Sequence, residues 1–158
     1  MARPREVPGL DCEGPFGLAA ARFVEVRAEE VFTHSGGVLD LEDIEPLHDM
    51  RVATRRLRAA MEMCRPCFPR KHYRRAMKPL KALADALGER RDRDVAIGFL
   101  REFAAQSPPA DRGRLEILVA KLRDEQRQAN ADLVPFVEEE PLEELRARLG
   151  ELVEEARR

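Results

Sequence analysis

The 158-residue chain predicts an all-α fold, an antiparallel bundle of about six helices, on three observations. Hydrophobic residues make up 44% and charged residues 37%, with seven Phe, one Tyr and no Trp, so helix formers such as Ala, Leu, Arg and Glu dominate. Apolar residues recur at i, i+3 and i+4, and no segment reads as a strand. Gly and Pro punctuation leaves only short loops, which makes successive helices antiparallel neighbours. This length fits one domain, 1–158, with an irregular N-terminal segment at 1–13.

Each helix has its own signals. The first, about 14–34, spaces Phe16, Ala19, Ala20, Phe23, Val24 and Val31 along one face, and "HSGG" predicts a cap by Gly36 and Gly37. Asp43 as N-cap and Pro46 in the first turn open the second, about 43–65, which Pro66 terminates. A third, about 69–87, stops at Gly88; its apolar stripe runs unchanged through Pro79, so the helix is kept whole. A fourth covers about 89–106, then "SPPADRG" turns into a fifth, about 114–137, and the sixth covers about 141–158.

No run approaches the roughly 18 apolar residues of a membrane span, and "MARPREVPGLDCEGP" lacks the apolar core of a secretory signal. A cytoplasmic chain is the expectation, with Cys12, Cys64 and Cys67 as reduced thiols rather than a disulfide framework.

The net charge of -2 conceals an asymmetry. Residues 1–47 carry 4 basic and 10 acidic side chains and residues 102–158 carry 9 and 14, whereas residues 48–101 carry 15 and 6. A basic middle of that kind suits a polyanion. At about 100° per residue, "LHDMRVATRRLR" divides into an apolar seam (Met50, Ala53, Leu57, continuing to Ala60, Met61 and Cys64) and a stripe of His48, Arg51, Arg55 and Arg58. Arg56 lies off that stripe, and Glu62 is the one acid within it. The third helix repeats the division. Tyr73, Ala76, Met77, Leu80, Leu83, Ala84 and Leu87 form its apolar face, and Lys71, Arg74, Arg75, Lys78 and Lys81 its basic one.

Such a face is most often merely solvated, balanced by acids one turn away. Here those acids are mostly missing, so the arginines repel one another unless an anion compensates. Arginine's planar fork suits phosphate, lysine adds mobile charge, and a protonated His48 could donate. Tyr73 is the one aromatic near the stripes and falls on the apolar side, so base stacking has no platform. A phosphate chain without bases is the better match.

These residues resemble a known family. "LHDMRVATRRLRAAMEMCRPCFP" followed by "LKALADALGERRDRDV" is similar to the first repeat of the CHAD domain, an all-helical domain often found beside triphosphate tunnel domains. The specific likeness lies between about 47 and 95, in an H-x-x-R-x-x-x-R-x-x-R helix followed by L-K-x-L and L-G-x-x-R-D-x-D-V; on either side it is one of helix pattern. The resemblance implies non-catalytic binding of inorganic polyphosphate along a basic groove or pore. By position it points to His48, Arg51, Arg55, Arg58, Lys78, Lys81 and Arg91, and the stripe of the third helix adds Lys71 and Arg74. Asp92 and Asp94 then either orient basic side chains by ion pairing or act as first-turn acids at a helix N-terminus. A complete CHAD domain has two facing repeats, yet no second H-x-x-R helix follows residue 100. A homodimer rebuilding the two-repeat arrangement is favoured over a piece of a longer chain. The resemblance also implies association with polyphosphate granules, and no membrane partner is expected.

Other functions find less support. "CRPC" at 64–67 has redox or metal-half-site spacing, but it ends a helix, where the dipole disfavours thiolate, and Cys12, His34 and His72 are scattered as further zinc ligands. Ser35 and Ser107 sit in turns without a visible base, and no Gly-rich phosphate loop occurs. No enzyme, no metal and no cofactor are expected. Nucleic-acid binding and a scaffold docking an acidic protein partner stay as alternatives.

Overall fold

A computed structural model describes residues 3–11 and 13–158; Cys12, and the expectations attached to it, lie outside the described residues. Among these residues the chain forms five α-helices and no strand: α1 Phe16–Thr33, α2 Glu45–Met63, α3 Arg70–Gln106, α4 Pro109–Val137 and α5 Glu139–Arg157. A 3₁₀ turn at Arg65–Cys67 joins α2 to α3. The first helix packs between α2 and α5, α2 lies against α3, and α3 packs on α4 and α5. No helix is long and apolar enough to cross a membrane.

The core lies where the seams of the helices meet. Val24 and Val31 of α1, Leu47, Met50, Leu57 and Met61 of α2, Leu80, Leu83 and Leu87 of α3, Leu133 of α4 and Leu149 and Leu152 of α5 are buried together. Truncating any of these leucines costs about 2–5 kcal/mol. Gly17 lets α1 approach α5, since a Cβ there would lie 2.8 Å from the Ala156 carbonyl oxygen.

The structure corrects several boundaries. Gly88 does not end a helix: α3 passes through it, merging the predicted third and fourth helices into one of 37 residues. An interior glycine costs only about 1 kcal/mol, which packing on both sides of it outweighs. Pro79 is likewise carried within α3. The fifth predicted helix begins at Pro109, because proline suits a first turn, and the "SPPADRG" turn shrinks to its first two residues. His34 takes the C-cap of α1, and of Gly36 and Gly37 the second alone, at φ +76°, adopts a left-handed conformation, in the following turn. Phe16, placed on the core face from the sequence, is largely exposed at the start of α1.

Beyond Leu87 on α3 and before Leu133 on α4, neither helix contributes to the main core. The two continue as a paired arm, tied at its base by polar contacts. Arg90, fully buried, donates from Nε to Asp94 Oδ1 (3.0 Å), and its two terminal nitrogens reach Asn130 Oδ1 (2.6 Å) and the Asp40 carbonyl (3.1 Å). Gln126 Nε2 also donates to Asp94 Oδ1 (2.6 Å), and Asn130 Nδ2 to the Leu39 carbonyl (3.1 Å). One network thus joins α3, α4 and the loop entering α2. A buried charge is tolerable when it is paired and its donors are filled, as here.

Candidate polyanion-binding face

The loop from Asp40 to Glu45 sets where α2 starts. Asp40 Oδ1 accepts from the backbone N–H groups of Glu42 (2.8 Å) and Asp43 (3.2 Å), which hold its carboxyl below its ordinary pKa. Asp43 Oδ1 accepts from Glu45 N–H (3.1 Å), but Ile44, not Asp43, takes the N-cap, and its side chain makes no capping hydrogen bond. With the loop anchored behind by Arg90 and Asn130, the first turns of α2, which carry His48 and Arg51, have a fixed origin.

Two contacts define the antiparallel register of α2 on α3. A Cβ on Gly88 would stand 3.9 Å from Arg51 Nε, and the Arg65 guanidinium lies 5.7 Å from the centroid of the Tyr73 ring. This register brings His48 level with Arg91 and Arg58 level with Lys81. Arg51 therefore lies along α3 beside Gly88, at a distance where even an alanine methyl would make only ordinary van der Waals contact.

The predicted cations divide into two sets. On α2, His48, Arg51 and Arg58 are partly buried and Arg55 is exposed; on α3, Lys71, Arg74, Lys78 and Lys81 are exposed and Arg91 is partly buried. Among the described residues none of these nine makes an ion pair. His48 Nδ1, Arg58 Nε and Arg91 Nη1 are buried polar atoms with no hydrogen-bond partner. Buried unpaired donors are rare because each costs about 1–3 kcal/mol, so the two guanidinium nitrogens, with the imidazoles of His48 and of His72 likewise unpartnered at Nδ1, mark a pair of helices where an acceptor belongs. Arg75 departs from the predicted stripe: it pairs with Glu151 of α5 at 3.3 Å and ties two helices together.

The two aspartates separate. Because α3 is continuous, neither lies in a first helical turn. Asp94 orients a cation, but that cation is the buried Arg90, which the sequence did not single out; Asp92 is exposed. A signal was available: continued through Gly88 at about 100° per residue, Arg90 and Asp94 fall at or beside the apolar face of α3. Gln126 and Asn130 carry no comparable mark.

Cys64 belongs to the core, and burial, with the neighbouring Cys67, pushes its thiol above the ordinary value. Burial likewise raises Tyr73, reinforced by Glu62 and opposed by Arg65 and Arg58. The aromatic ring faces the core side, as the periodicity predicts. Among the described residues no three His, Cys, Asp or Glu side chains cluster as metal ligands.

Against known families the chain matches the CHAD domain over residues 23–158. The chain belongs to the CHAD domain family. The match extends well beyond residues 47–95, on which the specific likeness rested, and takes in α5, the arm and most of α1. Comparison with curated proteins and with solved structures finds no match. CHAD domains are in general binding domains associated with polyphosphate rather than catalysts.

Proposed function

We propose that this CHAD domain binds inorganic polyphosphate, without catalysis, through His48, Arg51, Arg55 and Arg58 of α2 and Lys71, Arg74, Lys78, Lys81 and Arg91 of α3. The observation that carries this reading is the set of eight arginines and lysines and one histidine on two adjacent helices without a carboxylate partner among the described residues, three of them with buried, unfilled polar nitrogens. Phosphate oxygens can fill those donors from several directions at once, whereas an acidic peptide offers carboxylates only at side-chain spacing. The lack of a stacking aromatic on this face speaks against single-stranded nucleic acid.

The facing basic surface comes, in this proposal, from a second copy of the chain, a homodimer completing the two-repeat arrangement. Support comes from the arm, where Val95, Phe99, Phe103 and Ile117 are all more than half exposed. Cytoplasmic location at polyphosphate granules belongs to the same proposal.

Titration with long-chain polyphosphate is the test. Binding is expected at micromolar affinity or tighter, weakening steeply with salt as counterions are released, with double-stranded DNA of equal charge failing to compete. The double substitution Arg51→Glu/Arg55→Glu should abolish binding while leaving helicity unchanged; unaltered affinity overturns the assignment. Sedimentation settles the dimer, which a strict 18.0 kDa monomer at high concentration would refute.

A further inference from the structure

A second cluster of unpaired arginines lies on the arm. Between α3 and α4 runs an open groove of about 470 Å³, lined by Arg101, Arg112 and Arg123 together with Ala104, Ala120 and Glu116. Arg101 and Arg123 also border a smaller cavity of about 120 Å³ against Asp94 and Glu42. Asp94 Oδ2 is buried there without a partner, so neither arginine is committed to it. Among the described residues Arg101 and Arg123 make no ion pair, and the polar contact of Arg112 runs from Nε to the Ser107 carbonyl (3.0 Å). Glu116 is the only acid in the groove lining and has no ion-pair partner among the described residues. Three guanidinium groups against one carboxylate leave a net positive groove.

The groove is separate from the α2/α3 face. At about 100° per residue, Arg101 projects from the side of α3 that packs toward α4, roughly opposite Arg74, Lys78 and Lys81. Between the arginines, Glu116 apart, the walls carry only small apolar side chains, Ala104, Ala105, Val119 and Ala120. Its lining contains no aromatic ring on which a nucleobase could stack, though the volume is ample for several phosphate groups.

We infer that the α3–α4 arm holds a second oxyanion site, built by Arg101, Arg112 and Arg123, that takes a short, bare phosphate anhydride such as inorganic triphosphate. Multidentate guanidinium contacts supply the recognition, and Glu116 weakens it. The site does not depend on the polyphosphate reading of the α2/α3 face.

Calorimetric titration of the full chain with inorganic triphosphate at low salt tests the inference. Wild type should show an arm class of site, and a second class where the α2/α3 face also binds. Arg112→Ala/Arg123→Ala should lose one class, with at least a tenfold fall in its affinity, on the order of a few guanidinium–phosphate hydrogen bonds. Arg51→Glu/Arg55→Glu should keep that class, and Glu116→Gln should tighten it by roughly threefold. Circular dichroism confirms that each variant remains helical. An unchanged isotherm in Arg112→Ala/Arg123→Ala overturns the inference, and so does disappearance of both classes in Arg51→Glu/Arg55→Glu. ATP binding the arm as tightly as triphosphate overturns the assignment to a bare anhydride. Failure of the α2/α3 reading is seen separately, as long-chain binding unaffected by Arg51→Glu/Arg55→Glu.

Discussion

The arginines of α1 and α5 and those of α2 live in opposite company. On the outer pair, Arg22 meets Glu25 at 2.8 Å, Arg146 meets Glu29 and Glu143 at 3.3 Å each, Arg157 meets Glu25 at 3.0 Å, and Arg148 meets Glu144. On α2, Arg51, Arg55, Arg56 and Arg58 meet no acid among the described residues. Exposure does not separate the groups, since both contain half-buried and exposed members. What separates them is whether the protein supplies its own counter-charge, and only the second group is left with a charge to offer.

If partners set an arginine's role, the most completely partnered one should be the costliest to lose. Arg90→Ala is expected to destabilise the fold by about 3–5 kcal/mol in urea unfolding, because Asp94 then keeps a buried charge without its cation. A loss under about 1 kcal/mol would break the comparison. On the unpartnered side the largest effect comes from ligand. Polyphosphate at about 100 times its dissociation constant should raise stability by about 2.7 kcal/mol in thermal melts, and Arg51→Glu/Arg55→Glu should remove that rise.

One substitution should have opposite signs on the two surfaces. Arg55→Gln relieves repulsion from Arg51 and Arg58 and should stabilise the ligand-free protein by about 0.2–0.5 kcal/mol. Arg157→Gln severs contacts to Glu25 and Glu154 and should cost a similar or slightly larger amount, under about 1 kcal/mol at this exposure. Equal signs in denaturant midpoints would dissolve the distinction. Arg56→Ala should leave polyphosphate affinity within about twofold, since this side chain lies off the stripe.

The pH dependence follows the same division. Hydrogen bonding to Arg22, with a further contribution from Arg157, lowers the Glu25 pKa against an opposing desolvation, so its contribution is present above about 4.5 and is lost as acid protonates the folded form. Glu25→Gln should flatten that acid limb of a stability profile. At the alkaline end Cys64 and Tyr73 are both raised, so the unfolded chain releases protons first and stability falls once pH passes about 9. Cys64→Ala should shift the onset of that fall upward.

Much of this was legible beforehand because helical period sorts residues onto faces. The seam of α2 and its stripe read directly from "LHDMRVATRRLR", and the buried set Met50, Ala53 and Leu57 lies where that projection puts it. Gly88 misled because local propensity penalises glycine in a helix, while the packing of α3 against α2, α4 and α5 carries the helix through it. Arg90 escaped because its acceptors lie 40 and 50 positions away along the chain, in α4 and the α2 entry loop, as well as in Asp94 one turn on. Arg75 looked like its neighbours until α5 brought Glu151 against it.

The continuous α3 makes the arm a lever. Thirty-seven residues span about 55 Å, and Arg90 clamps the rod a little past its midpoint. From that clamp to Gln106 the free limb measures roughly 24 Å, so a tilt of about 5° at the network would carry its tip some 2 Å. The same clamp holds the loop that starts α2, so whatever draws His48 or Arg51 toward a ligand also pulls at the fulcrum. A shift of that loop would therefore reach the tip of the arm magnified, because loop and arm share one network.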